Sequence, residues 1–185
     1  MPQQQSAPHQ PSTPIKLHLG GIEAKAGWTL LNAQPGPGVD IIGNCTDLSM
    51  FADGSVAEIY ASHIFEHLGY EKELPGALTE ANRVLVKGGI LHVAVPDLEA
   101  LCRIFLRPEL DLQAKWDMVR VFMGGQIDPW DFHKSAFSFD LLTYWLQQHG
   151  FTDIRRVDSF RLFRDTSDGR FRNIPISLNV RCVKA

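Results

Sequence analysis

The sequence predicts a layered α/β domain built on a largely parallel sheet. Short apolar segments that read as strands alternate with amphipathic segments that read as helices from Ile15 onward. Residues 90–95 are nearly all apolar, as expected of a strand covered on both faces. The chain then closes on two further strand-like segments, residues 152–158 and 176–183.

Taken in order, Ile15–Leu19 is a short apolar segment ending in Gly20-Gly21, a strand running into a tight turn. Residues 28–33 (WTLLNA) are the second strand. The gap between the two is shorter than the roughly ten residues a helical crossover needs, so the first crossover is a bare loop or a single turn. Pro35-Gly36-Pro37-Gly38 breaks the chain before a third strand at 39–43 (VDIIG), and Asp53-Gly54-Ser55 turns it into a fourth at 56–62 (VAEIYAS). Leu74, Leu78, Ala81 and Leu85 recur at helical spacing and predict a helix over 71–86, stopped by Lys87-Gly88-Gly89. Pro75 suits a first turn, which moves the start toward residue 74. After the strand at 90–95, Asp97 caps a short helix that turns Leu98, Leu101, Cys102 and Phe105 inward. Leu112, Trp116, Val119 and Met123 mark an inward stripe on a helix within 107–124, closed by Gly124-Gly125. A polar and aromatic loop fills 126–136. Ser138 caps a last helix with Leu142, Trp145 and Leu146 inward, ended by Gly150. The final strand sets Ile176, Leu178, Val180 and Cys182 on one face.

A single folded domain is expected over residues 15–185. Residues 1–14, a low-complexity run rich in Pro, Gln and Ser, are expected as a disordered tail. The 18 basic and 21 acidic residues leave a formal charge of −3, without the basic excess of a nucleic-acid binder. No apolar run approaches the ~20 residues of a membrane span. Cys45, Cys102 and Cys182 form neither a CxxC pair nor a disulfide framework, so a reducing, cytoplasmic location is expected.

KLHLGG, the GW that precedes the second strand, VDIIGNCTDLSMFADGSVAEIYASHIFEHL and RVLVKGGILHVAVPDLE together resemble the compact class I S-adenosylmethionine-dependent methyltransferases, type 11-like. The resemblance covers roughly residues 15–185 and is most specific where YASHIFEHL is followed by RVLVKGG and VPDLE. It implies a Rossmann-like three-layer sandwich with a mostly parallel, seven-stranded sheet and an antiparallel last strand. The helix after the first strand is shortened or missing in this group. It also implies S-adenosylmethionine bound over the carboxyl ends of the first strands, where open α/β sheets place their ligands. Gly20 and Gly21 would let the backbone approach it closely. Asn32, Asn44, Cys45, Asp47, Leu48 and Ser62 complete the implied cofactor site.

Three positions depart from the family pattern. The glycine loop reads Gly20-Gly21-Ile22-Glu23 rather than three glycines or Gly-Cys-Gly. The acid that takes the ribose hydroxyls falls on Asn32, and the acid near the adenine falls on Asn44. An amide both donates and accepts, so each contact persists without charge assistance, at about ten- to hundred-fold in affinity for the two together. Asp47 is either a substitute adenine contact or a turn cap.

Ser62-His63-Ile64-Phe65-Glu66-His67 falls where the fourth strand ends, at the mouth of the substrate pocket in this fold. If the segment turns helical, His63 and His67 share a face with Glu66 beside it. His133 adds a third imidazole from the later loop. His63, His67 and His133 are the catalytic candidates, because histidine titrates near neutral pH. Glu66, Asp97 and Trp130 are the substrate candidates, although Asp97 is equally an N-cap. No metal is required. Methyltransferases of similar fold that carry Glu-x-x-Glu-His at this place bind one, however, and His63, Glu66 and His67 are the corresponding option here, with His133 as a further imidazole. His18 and His92, inside strands, read as sheet-face histidines, Trp116 and Trp145 as core, and the arginines from Arg155 to Arg172 as a solvated face.

The expected function is methyl transfer from S-adenosylmethionine to a small-molecule acceptor, with no nucleic-acid or membrane partner and a homodimer as an open option. The alternatives are a non-catalytic binding module on the same fold and a metal-dependent enzyme using the pocket histidines.

Overall fold

The computed structural model describes residues 14–185. Residues 1–13 of the expected tail, His9 among them, lie outside the described residues. β1 (Ile15–Leu19), β2 (Thr29–Asn32), β3 (Ile41–Ile42) and β4 (Val56–Ser62) precede the first helix, α1 (Glu73–Val84). β5 (Leu85–Pro96), α2 (Leu98–Phe105), α3 (Leu112–Met123), α4 (Phe139–Gln148) and β6 (Phe151–Arg156) follow. The chain ends with the short β7 (Arg170–Phe171) and β8 (Ile174–Pro175), paired with each other, and β9 (Ser177–Lys184). Seven strands form one sheet in the order β3-β2-β1-β4-β5-β9-β6, with β1 to β5 parallel and β9 antiparallel to both its neighbours. This is the predicted α/β sheet with its antiparallel last strand. Among the described residues no α-helix stands between β1 and β4, so the helix after the first strand is missing.

One face of the sheet carries the main core. Leu17, Leu19, Ile59, Ala61, Leu91, Val93 and Val95 alternate inward on three parallel strands. Leu74, Leu78, Ala81 and Val84 of α1 and Leu142 and Leu146 of α4 cover them. On the opposite face the register aligns His18, Tyr60, His92 and Arg181 in a row across β1, β4, β5 and β9. Phe160 and Phe163 lie against this row, with His18 and Phe163 ring centroids 4.0 Å apart and Tyr60 and Phe160 at 5.5 Å. Tyr60 Oη donates to Asp165 Oδ2 at 2.9 Å. His18 and His92 are therefore sheet-face histidines, as expected.

Several boundaries and faces differ from expectation. β3 is shorter than 39–43 because Asp40 pairs through its side chain, its carboxylate accepting from Leu30 N at 2.8 Å. β5 starts at Leu85, since the Lys87-Gly88-Gly89 stop forms an irregularity in the β4–β5 ladder, with Gly88 at φ 74°. α3 buries Ala114 and Met118 against Leu101 and Ile104 of α2. Its predicted stripe is on the wrong side: Leu112, Trp116 and Met123 are exposed, Trp116 at 59%. Cys102 on α2 is exposed too, not inward. No helix among the described residues is long and apolar enough to cross a membrane.

Candidate functional site

The carboxyl ends of β1, β2 and β4 meet at one side of the sheet. β1 ends at Gly20, whose N–H donates to Leu31 O at 2.7 Å. Gly20 has φ 72°, and a Cβ there would overlap Ile64 Cδ1, so both conformation and space demand glycine. Asn32, at the end of β2, holds this turn. Its amide donates to Gly20 O at 3.1 Å and Gly21 O at 2.9 Å, while its Oδ1 accepts from Gln34 N at 2.9 Å. A carboxylate could make neither of the first two bonds, which gives the acid-to-amide departure a local reason.

β4 runs out at Ser62, and His63 turns the chain with φ 54°. The segment that follows is a single 3₁₀ turn, Phe65–His67. His63 precedes this turn, and it meets Glu66 rather than His67. His63 Nδ1 lies 2.9 Å from Glu66 Oε1, and its Nε2 lies 3.0 Å from Ser177 Oγ. His67 meets His133 instead, with ring centroids 4.7 Å apart. The loop after α3 brings His133 there: Lys134 N and Ser135 N both donate to Glu66 O, at 2.7 and 3.0 Å, and Ser135 Oγ donates to Leu68 O at 2.6 Å. Gly124 permits the fold-back, since a Cβ would overlap Asp131 O.

A cavity of about 420 Å³ opens between these elements, within the roughly 300–1,000 Å³ usual for small-molecule sites. Gly20, Asn32, Asn44 and Cys45 line it from the strand ends, His63 and His67 from the segment after β4, and Trp130 from the loop after α3. Burial pushes the Cys45 thiol up to about 12, so it stays protonated. Burial lowers the His133 pKa and favours its neutral ring.

Other candidates sit elsewhere. Gly21, Asp47, Leu48, Ser62, Glu66, Asp97 and His133 are not among the lining residues. Asp47 caps its own turn through Ser49 N at 3.0 Å, and Leu48 N donates to Glu80 at 2.8 Å. The Ser62 hydroxyl is buried without a hydrogen-bond partner. Asp97 accepts from Ala100 N at 3.1 Å as the α2 N-cap and pairs with Arg156, which stays exposed. Sequence reasoning missed Gln34, Pro35, Val39, Glu73, Asp131 and Lys134 in the lining. The missing crossover helix was the available signal for the first three: without it the Pro-Gly breaker must lie at the strand ends. Glu73 is placed by Gly69 N at 2.7 Å and Lys134 Nζ at 2.9 Å, the first of which lowers its pKa most.

Residues 24–93 match the family model described as a methyltransferase domain. No curated protein matches the chain in sequence. Solved structures share the fold. A SAM-dependent methyltransferase from Archaeoglobus fulgidus aligns at TM-score 0.57 and 15% identity, over 94% of this chain and 87% of that one. The CurJ carbon methyltransferase aligns at 0.59 and 14%, over 95% of this chain and 50% of its own, so this chain spans half its length. The Burkholderia thailandensis 1,6-didemethyltoxoflavin-N1-methyltransferase, solved with 1,6-didemethyltoxoflavin and S-adenosylhomocysteine, aligns at 0.55 and 13%, over 94% and 72%. The fold is shared with S-adenosylmethionine-dependent methyltransferases, and the match over residues 24–93 agrees with the resemblance carried by the sequence.

Proposed function

We propose that this chain transfers a methyl group from S-adenosylmethionine to a small-molecule acceptor within the strand-end cavity. The continuity of that cavity carries the reading: one space touches both the Gly20–Asn32–Asn44 set and the His63–His67–Trp130 set. The residues present suit the cofactor. Gly20 leaves its backbone open to close approach. Asn32 Oδ1, with one bond already made to Gln34 N, keeps a lone pair for a ribose hydroxyl. Asn44 spends its Oδ1 on Thr46 N at 3.0 Å and keeps its NH₂ to donate.

When bound, the cofactor supplies a methyl group already activated on sulfur. The protein is left with placing the acceptor in line and excluding water. Leu31, Val39, Ile64 and Leu68 give the cavity apolar walls suited to exclusion. His63 and His67 face the acceptor from the turn after β4, and Trp130 closes over it from the opposite loop. Because Ser177 Oγ gives its proton to Thr166 O at 2.6 Å, His63 Nε2 is the donor in their bond. That bond holds the ring in place. His133 acts on the acceptor only through His67.

Calorimetric titration of metal-stripped protein with S-adenosylmethionine and S-adenosylhomocysteine tests the cofactor half of this proposal. Micromolar binding is expected. Folded protein that binds neither up to millimolar concentration would overturn it in favour of a non-catalytic binding module. Radiolabelled methyl transfer across hydroxyl, amine and carbon-acid acceptors then tests the other half.

A further inference from the structure

We infer that Glu66, His67 and His133 hold a divalent transition-metal ion at the wall of the cavity. One ligand atom from each residue lies within 4.8 Å of the others. Glu66 is 1% exposed. Its Oε2 has no hydrogen-bond partner, and Oε1 has only His63 Nδ1 at 2.9 Å, without the alignment of a hydrogen bond. A buried carboxylate left in that condition is costly, and a cation is the partner that removes the cost.

Both imidazoles are set up to ligate. His67 Nδ1 faces Phe132 O and His133 Nδ1 faces Phe122 O, each at 3.2 Å. A carbonyl can only accept, so each Nδ1 carries the ring proton and each Nε2 presents a lone pair. A backbone carbonyl on the far ring nitrogen is the usual support of a ligating histidine. The three residues are also held together without an ion. Glu66 O anchors the 133–135 loop through two amides, and His133 N donates to Met123 O at 3.1 Å.

Two imidazoles and one carboxylate suit zinc, manganese, iron or cobalt over magnesium or calcium. Three protein ligands leave positions open for water or substrate. His67 also lines the cavity, so such an ion borders the acceptor space. Polarising an acceptor oxygen there would lower its pKa and make it the nucleophile. That role rests on the methyl-transfer proposal, but binding of the ion does not. His63 is excluded from the set because its Nε2 is engaged by Ser177 Oγ at 3.0 Å.

Cobalt(II) titration of the stripped full chain, read by visible absorption, tests the site. One equivalent should bind at micromolar strength or tighter, with an absorption band that zinc(II) displaces. Glu66→Gln and His133→Ala should each weaken binding about 100-fold, and His63→Asn by less than about 10-fold. Circular dichroism shows whether each variant folds, and either of the first two suffices if the other does not. Folded wild-type protein that binds neither ion below millimolar concentration overturns the site. So does binding that a folded Glu66→Gln or His133→Ala variant leaves unchanged. S-adenosylhomocysteine calorimetry on the same stripped protein reads the methyl-transfer proposal separately.

Discussion

His18 and His92 lie mid-strand on β1 and β5, whereas His63, His67 and His133 lie beyond the strand ends, and the two groups differ in what surrounds them. The mid-strand pair is packed among Tyr60, Phe160 and Phe163. Burial pushes the His18 pKa down to about 4, and its Nδ1 has no partner. His92 is lowered by burial as well, partly offset by Glu58 at 2.8 Å. His63 and His67 border the cavity with His133 behind His67, and carbonyls or Ser177 orient each ring. The same side chain is enclosed where the sheet closes over it and reaches a cavity where the strands stop.

Acid titration gives the largest expected contrast. His18 binds fewer protons folded than unfolded, so its contribution is complete above pH 6.5 and is lost as pH falls toward 4. The loss amounts to roughly 3 kcal/mol, with His92 adding to it in the same direction. Urea unfolding across pH 4–7 should show this slope, and His18→Gln should flatten it. An unchanged slope in that variant would move the acid sensitivity to the strand-end group.

Gly20→Val should cost about 100-fold in S-adenosylhomocysteine affinity, roughly 2.7 kcal/mol, because a side chain at φ 72° must displace Ile64. Unchanged calorimetric affinity would place the cofactor elsewhere. Tyr60→Phe should lower stability by about 1.5 kcal/mol, since Asp165 loses a donor inside the mid-strand cluster, and should leave S-adenosylhomocysteine binding alone. A drop in affinity there would join the two regions.

Asn32→Asp gives the smallest effect, about 10-fold weaker binding of S-adenosylhomocysteine. It restores the family acid but sets a carboxylate against the Gly20 and Gly21 carbonyls. Tighter binding instead would show that the ribose contact outweighs the support of the glycine loop.

The sheet was readable because its signals are local. Alternation placed β1, β2, β4 and β9 to within a residue or two, and the short gap before Thr29 was enough to remove the first helix. α3 was not readable, because it carries two apolar stripes. Leu112, Trp116 and Met123 make one and Ala114 and Met118 the other, and only α2 lying alongside selects the second. Asp97 was legible as a cap but not as the partner of Arg156, which comes from a distant strand. Gly20 and Asn32 line the strand-end cavity, whereas Gly21, Asp47 and Leu48 lie outside its lining, Asp47 and Leu48 being engaged by Ser49 N and Glu80.

By itself the sequence determined the class of the sheet, the missing crossover helix, the glycine turn at the end of β1 and the residue types gathered after β4. Periodicity, turn chemistry and chain reach act over a few residues, so they can be read from a string. Tertiary structure alone decided which histidines meet. The left-handed bend at His63 and the short turn after it set His63 beside Glu66, and two amides on Glu66 O carried His133 across some 65 residues to His67. Such a partnership depends on the winding of one turn and the landing point of one loop, which the packing around them sets.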